Sequence, residues 1–236
     1  MLVLAFDTTT PDGSVALLAD EHLLGEVATS GASSHSLRLL PAIDFLLRQL
    51  SFGVEDVEAY AVAAGPGSFT GIRVGLSTAI GLALSAEKLI AAVSTLKALA
   101  LKGLGGGRLP VAALVDARKG EVFAGLFRAK AGELEAIVPE AAYKPDNFLS
   151  LLPKKGKIAF IGSGAIAYRE KIIDYFGNRA LFPARSLYIA GEVGLLGWRL
   201  LRKGRGLRPQ ELEPIYYRPS QAEEKRPSSL KPGRNS

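Results

Sequence analysis

Gly65-Pro66-Gly67-Ser68-Phe69-Thr70-Gly71-Ile72-Arg73-Val74-Gly75-Leu76-Ser77-Thr78-Ala79-Ile80-Gly81-Leu82-Ala83 is the stretch on which the reading of this chain turns. The apolar run Ala59–Ala64 leads into it as a short buried strand, and the Gly-Pro-Gly turn ends that strand. Ser68 or Thr70 can cap the helix that follows, because a side-chain oxygen there accepts a backbone N–H that the first turn leaves unpaired. From Phe69 to Ala86 the only charge is Arg73. At about 100° per residue, Phe69, Ile72, Leu76, Ile80 and Leu84 gather on one side. Gly71, Gly75, Thr78, Ala79, Gly81, Ser85 and Ala86 gather on the other, with Leu82 among them. Neither side is polar, whereas a helix lying on a sheet normally has one wet face. Each interior glycine costs roughly 1 kcal/mol relative to alanine, so close approach of another backbone is expected as compensation. Three readings are open: a helix buried in its own domain, a membrane span, and a helix whose small face receives a partner's helix. Arg73 and the glycines speak against the span, although the length meets the requirement of about 18 residues.

Composition narrows the remaining classes. The chain has 236 residues, 48% of them hydrophobic, enough for a real core in one large domain or two small lobes. It has no cysteine, which removes disulfides and thiol nucleophiles and fits a reducing compartment. With only His22 and His35, a zinc or iron site built on imidazole and thiolate is nearly excluded. The net charge of +6 fits either contact with a polyanion or plain solubility. Met1–Phe6 is too short for a signal segment and reads as a first buried strand, so a cytoplasmic protein without a membrane segment is expected.

In chain order, a strand ends at Asp7, a polar turn runs from Asp7 to Ser14, and Val15–Leu18 and Leu23–Val27 return as strands. Ser33-Ser34-His35-Ser36 starts a helix reaching about Leu50. Its apolar arc is Leu39, Ile43, Leu46, Leu47 and Leu50, with Leu40 at the edge and Phe45 opposite. The strand at 59–64, the glycine helix and a strand at Leu89–Val93 follow. No element is assigned from Ser94 to Lys102. Gly103-Leu104-Gly105-Gly106-Gly107-Arg108 is the clearest composition break, and the lobe boundary falls there.

The second half repeats the theme. A strand ends at Asp116, Asp116-Ala117-Arg118-Lys119-Gly120-Glu121 is the turn, and strands at 122–127 and 134–138 return. After a short helix at 145–152, a strand at 157–161 leads to Gly162-Ser163-Gly164, and a helix spans 168–176. Each half thus reads strand, aspartate, hairpin, two strands, helix, strand, Gly-X-Gly, which indicates an internal duplication. A strand at Leu181-Phe182 and a last helix near 187–201 are placed with the second half. The expected division is a lobe of residues 1–102, a smaller lobe of 103–218 and a disordered tail of 219–236.

The residues with chemistry to offer are few. In Asp7-Thr8-Thr9-Thr10, hydroxyls and turn N–H groups suit phosphate oxygens, and a carboxylate suits water-bound magnesium. The same residues are also ordinary turn formers. His35 is followed at the next helical turn by Leu39, so no histidine pair forms and no metal is expected; helix start or interface contact remain for it. No Gly-X-Ser-X-Gly elbow surrounds any serine.

Several stretches resemble the bacterial TsaB (YeaZ) family of tRNA threonylcarbamoyladenosine synthesis: the glycine helix, Asp7–Thr10 with Ser14–Leu17, His35-Ser36 with Leu39-Leu40-Pro41, Asp116–Val122, and Pro214-Ile215-Tyr216-Tyr217-Arg218. The resemblance covers roughly residues 1–218. It implies an α/β, two-lobed actin-like or heat-shock-70-like (ASKHA) fold, each lobe a mixed sheet with helices around a ribonuclease-H-like motif. It implies a non-catalytic scaffold for threonylcarbamoyl transfer from threonylcarbamoyl-AMP to N6 of the adenosine beside the anticodon, in tRNAs reading A-starting codons. The partners implied are the catalytic paralogue TsaD, the ATPase TsaE, a second copy of the chain, and tRNA through the complex. No cofactor of its own is required, with ATP or ADP and Mg2+ belonging to the complex. The partner face implied comprises His35, Leu40, Phe45, Phe69, Gly71, Arg73, Gly75, Thr78, Ala79 and Leu82, so Gly75→Leu is expected to abolish partner binding in a folded monomer. The alternatives are a transferase or ATPase using Asp7, Thr8, Thr9 and Thr10 as a nucleotide site, and a glycoprotease-like peptidase.

Overall fold

The computed structural model describes residues 1–31 and 34–217. Ser33 of the helix start, Arg218 of the closing motif and the tail therefore lie outside the described residues. The first sheet contains β1 (Leu2–Asp7), β2 (Gly13–Ala19), β3 (His22–Thr29), β4 (Ala59–Gly65) and β5 (Leu89–Ser94), in the order β3-β2-β1-β4-β5. The second contains β6 (Val111–Arg118), β7 (Glu121–Lys130), β8 (Glu133–Tyr143), β9 (Ile158–Ile161) and β10 (Ala180–Leu181), in the order β10-β9-β6-β7-β8. Read from the hairpin edge, the two orders are the same. In each sheet the first strand pairs antiparallel with the second and parallel with the fourth. The duplication read from the sequence is therefore a repeated sheet topology.

The helices are α1 (His35–Gln49), α2 (Phe69–Ala86), α3 (Thr95–Leu104), α4 (Pro145–Leu151), α5 (Ser163–Ala167), α6 (Arg169–Phe176) and α7 (Ala190–Arg202). Side chains alternate across a strand, so each sheet has two faces to cover. Leu2, Leu4, Phe6, Val15, Leu17, Tyr60 and Val62 point to one face of the first sheet, where they pack with Leu39, Ile43, Leu46 and Leu47 of α1 and Ile72, Leu76, Ala79 and Ala83 of α2. The opposite face carries Val3, Ala5, Ala16, Leu18, Ala61, Ala63, Ala91 and Val93. It shares one core with α3, α7 and Val111, Ala113, Val115, Phe127 and Ile161 of the second sheet. The outer face of the second sheet is covered by Phe148, Leu149, Ala165, Ile172 and Phe176. The layers run helices, sheet, helices, sheet, helices.

Two differences from the sequence reading follow from those inner helices. Thr95–Leu104, where the sequence pattern suggests no element, is α3. Ser94 caps it by accepting the Lys97 N–H at 3.3 Å, and Gly105 ends it in the left-handed conformation, φ 49°. Although α3 precedes the glycine break, it packs chiefly on β6, β7 and β9. Conversely, α7 follows the break and returns to β1, β2, β4 and β5. The alanines of that face leave room for a close helix, and α7 supplies glycines to use it. A Cβ on Gly194 would lie 2.1 Å from Leu18 Cδ1, and one on Gly197 would lie 2.4 Å from Ala61 Cβ. First-sheet side chains also satisfy the unpaired N–H groups at the start of α7: Ala190 N donates to Ser14 Oγ at 3.0 Å and Gly191 N to Glu26 Oε1 at 3.1 Å. Burial pushes the Glu26 carboxyl up, against these bonds. Residues 190–202 thus pack with the first lobe, and the boundary near 103 separates the sheets but not the helices between them.

Residues 207–217 cross both halves. Leu207 makes an antiparallel bridge with Ile90 on the edge strand, with N–O distances of 2.8 and 2.9 Å. Ile215 N then donates to Ala64 O at 2.8 Å, beside Gly65 (φ 115°), where a Cβ would lie 2.6 Å from Ile215 O. Tyr216 stacks on Phe69 of α2, and Tyr217 reaches Phe123 and Glu140 of the second sheet.

Candidate functional site: the Asp7 turn and the outer face of α1 and α2

The Asp7 turn sits where β1 ends and α1 and α2 begin. Asp7 is only 1% exposed. Its Oδ1 accepts from Thr9 N at 2.8 Å and from Thr9 Oγ1 at 2.7 Å. Thr8 Oγ1 donates to Gly71 O at 2.7 Å, and Thr95 Oγ1 donates to Thr9 Oγ1 at 3.3 Å. Ser68 N donates to Thr9 O at 2.7 Å. His35 Nε2 bonds Thr10 O at 2.7 Å, and Arg38 Nη2 donates to Pro11 O at 3.0 Å. Burial pushes the Asp7 carboxyl up, against the Thr9 bonds and the nearby His35 charge. A phosphate or hydrated magnesium needs exposed donors or an exposed carboxylate. Here Asp7, Thr8 and Thr9 are buried and bonded to the chain itself, so the turn does not fit such a group as it stands. It acts as a brace seating α2, and His35 ties the start of α1 to it.

The second half repeats the aspartate turn: Asp116 Oδ1 accepts from Arg118 N at 2.9 Å, while Asp116 N donates to Ser163 Oγ at 3.1 Å. The Gly162-Ser163-Gly164 turn thus borders the Asp116 hairpin of its own sheet. Among the described residues, no three His, Asp or Glu side chains come together as a metal site.

The glycines of α2 answer to the same brace. A Cβ at Gly71 would lie 1.9 Å from Thr8 O, and one at Gly75 would lie 2.5 Å from Thr8 Oγ1. The backbone whose approach compensates these glycines belongs to the chain's own β1–β2 turn. Gly71, Gly75 and Ala79 are buried inside the lobe and do not reach the open face, which corrects their placement at a partner interface. Gly75→Leu would strike Thr8 before it met any partner. Gly81, by contrast, is exposed, and a Cβ there would have no atom within 4 Å.

What remains open is apolar. A groove of about 470 Å³ between α1 and α2 is lined by Ser36, Leu39, Leu40, Phe69, Thr70, Arg73, Val74, Ser77 and Thr78. Four of the residues expected from sequence, Leu40, Phe69, Arg73 and Thr78, come together there. Leu40 is 53% exposed, and Phe45, further along α1, is 55% exposed. Leu82, further along α2, is half-buried against the first-lobe core. Leu37 and Leu84 extend the exposed apolar surface. Sequence reading missed Val74, Ser77 and Tyr216 as neighbours of this face. The first two follow from the helical phase once Gly71, Gly75 and Ala79 are known to point inward. The third follows only from the path of residues 207–217.

Two sheets of one topology, paired aspartate turns and helices sandwiched between the sheets define the fold class: α/β, two-lobed and actin-like (ASKHA). At fold level the structure resembles the ROK hexokinase from Thermus thermophilus, with a TM-score of 0.52 at 11% identity over 86% of this chain and 100% of that one. A family model described as TsaD: tRNA N6-adenosine threonylcarbamoyltransferase matches residues 22–224. The TsaB protein of Bacillus subtilis is 32% identical over 95% of this chain and 97% of its own, and that of Escherichia coli 31% identical over 96% and 99%. The solved structure of YeaZ from Pseudomonas aeruginosa superposes with a TM-score of 0.79 at 29% identity, covering 91% of this chain and 99% of that one. The chain belongs to the TsaB (YeaZ) family of tRNA threonylcarbamoyladenosine biosynthesis proteins.

Proposed function

We propose that the chain is a cytoplasmic, non-catalytic scaffold for threonylcarbamoyl transfer to tRNA, acting with a TsaD-type transferase and a TsaE-type ATPase. The observation that carries this reading is a contrast within one lobe. The turn that would have to do chemistry is buried and bonded to itself, whereas the outer face of α1 and α2 exposes Leu37, Leu40 and Phe45 beside an apolar groove. Exposed apolar patches of that kind mark interaction surfaces. The transferase's own helices would pack there, and tRNA would be met through the complex. A second copy of the chain is the competing occupant.

The experiment is tRNA modification in vitro with the transferase, the ATPase, ATP and threonylcarbamoyl-AMP, with and without this chain. Activity is expected only in the full mixture, lost when Leu40→Asp and Phe45→Asp are combined and retained in Asp7→Asn. Turnover by the chain alone, abolished in Asp7→Asn, would overturn the reading in favour of a self-sufficient transferase or ATPase. Cleavage of the transferase by this chain would overturn it in favour of a peptidase.

A further inference from the structure

The end of the second sheet at which β6, β9 and β10 begin carries a row of cations. Strand register fixes the row: Val111 pairs with Ala159 and with Phe127, and Ala180 pairs with Ile158. Arg179, Lys157, Arg108 and Arg128 stand one to three residues outside those pairs, on four neighbouring strands. With neighbouring strands about 4.8 Å apart, the row spans about 15 Å. Lys130 closes β7 beside it. The loop before β9 adds Lys154 and Lys155, and Arg179 Nη1 holds that loop by donating to Lys154 O at 2.9 Å. The end of α7 reaches the same place. Arg199 Nη1 donates to Gly132 O at 3.1 Å, Lys203 pairs with Glu133, and Arg205 also bears on Glu133.

Carboxylates at this end are few. Glu135 is shared by Arg128 at 2.6 Å and Lys130 at 2.9 Å, Glu133 is taken by Lys203, and Asp174 stands near the end of α6. Arg108, Lys154, Lys155 and Lys157 are exposed and make no side-chain hydrogen bond or ion pair among the described residues. The corresponding end of the first sheet has the opposite sign. Its loops, residues 20–21, 50–58 and 87–88, carry Asp20, Glu21, Glu55, Asp56, Glu58 and Glu87 against Lys88. The boundary between the signs runs along α7, where Trp198 Nε1 donates to Asp20 at 3.2 Å and Arg202 bears on the same carboxylate. A surface charged for solubility intersperses the two signs. Here they are segregated, which gives the molecule a directional field.

We propose that this end of the second lobe binds the sugar–phosphate backbone of tRNA directly. The family belongs to tRNA threonylcarbamoyladenosine biosynthesis, so RNA is the polyanion at hand. Each phosphate that a lysine or arginine neutralises releases condensed counterions, which drives the association. The acids beneath the first sheet repel the same backbone, so the field orients the RNA toward the second lobe. Contacts to phosphate position an RNA without reading its sequence. The helices α1 and α2 cover the outer face of the other sheet, so a protein docked on them leaves this surface open. The inference goes beyond the scaffold reading and does not depend on it.

The probe is a fluorescently labelled, unmodified tRNA transcript, titrated with the full chain and read by anisotropy at about 50 mM and about 200 mM salt. The main variant combines Lys154→Ser, Lys155→Ser and Lys157→Ser; Arg108→Ser is a single exposed change that stands if the loop variant folds poorly. Lys144→Ser, just past the opposite end of β8, is the control. Wild-type affinity is expected to fall roughly fiftyfold or more across that salt range. At about 50 mM salt the triple variant is expected to bind roughly tenfold or more weakly, with a logarithmic salt slope shallower by about 2–3. Arg108→Ser should bind roughly threefold more weakly, with a slope shallower by about 1, and Lys144→Ser should match the wild type. Wild-type affinity retained in both the triple variant and Arg108→Ser would overturn the inference. So would a loss in Lys144→Ser equal to that in Arg108→Ser, which would make the binding diffuse over all cations. A chain that binds vesicles of phosphatidylserine and phosphatidylcholine but no tRNA would assign the row to a membrane surface instead. Each of these results leaves the scaffold reading standing, because that reading is decided by modification in the full mixture.

Discussion

Gly71, Gly75 and Gly81 lie on one helix, yet the same substitution should have opposite effects along it. In a helix interior, glycine to alanine favours the helix by about 1 kcal/mol. At Gly81 the new methyl meets nothing within 4 Å, so Gly81→Ala should gain most of that, about 1 kcal/mol. At Gly71 the methyl would lie 1.9 Å from the Thr8 carbonyl oxygen. Either the turn or the helix must move, and overpacking of this kind costs about 3 kcal/mol or more when backbone is the obstacle. The shift also disturbs the Thr8 Oγ1 bond to Gly71 O, worth about 1 kcal/mol. Net, Gly71→Ala should lose about 3 kcal/mol. At Gly75 the obstacle is Thr8 Oγ1 at 2.5 Å, a side-chain atom that can rotate away by giving up that same bond. There the gain and loss nearly cancel, leaving a deficit of at most about 1 kcal/mol. For a chain of this size, about 1 kcal/mol moves Tm by about 2–4 °C. The assay is thermal unfolding followed by circular dichroism, with urea midpoints as a second measure. The expected order of Tm, highest first, is Gly81→Ala, wild type, Gly75→Ala, Gly71→Ala. A Gly71→Ala variant melting at or above the wild type would refute the view that α2 is seated on the Asp7 turn.

Asp7 gives a pH signature. Its carboxyl is held above the usual range, chiefly by burial, so ionising it in the folded chain costs stability. The contribution of this group is greatest below its unfolded value near about pH 4 and declines as pH rises toward the elevated folded value. Asp7→Asn keeps an Oδ1 for both Thr9 bonds and removes the ionisation. Its urea midpoint relative to wild type should therefore rise between about pH 4 and pH 7, and a relative midpoint that falls over that range would contradict the assignment. In the segment that crosses both halves, burial and then the charge of Glu140 push the Tyr217 hydroxyl up. Tyr217→Phe removes its 3.2 Å bond to Glu140 and should cost about 1 kcal/mol, read as a lower urea midpoint; no change would mean that the peptide is held by Ile215 and Tyr216 alone.

Much of the architecture is legible in the sequence because it rests on local signals. The repeated strand–aspartate–hairpin pattern is visible as such, and both sheets share one strand order. The exposure of Phe45 follows from its phase on α1. The α3 helix is not read from the sequence, because the apolar run Thr95–Lys102 blends into the preceding strand. Which side of α2 faces outward is not legible. Both sides are apolar, and periodicity separates faces without saying which one is covered. The pattern calls for a close neighbour at the glycines and leaves open whose it is; at Gly71 and Gly75 that neighbour is Thr8.

By itself, then, the sequence determined the two-lobed class, the family and the absence of a paired-histidine helix, since each depends on residue identity and spacing along the chain. Tertiary structure alone decided three further matters. The Asp7 turn closes on itself because α1, α2 and α3 converge on it. The last helix covers the first sheet because an alanine face admits glycines 194 and 197. Arg73 stands over the Phe69 ring at the groove, and Tyr216, from far along the chain, stacks on that same ring. Each of these joins residues far apart in sequence, where packing complementarity and hydrogen-bond satisfaction, rather than local propensity, set the outcome.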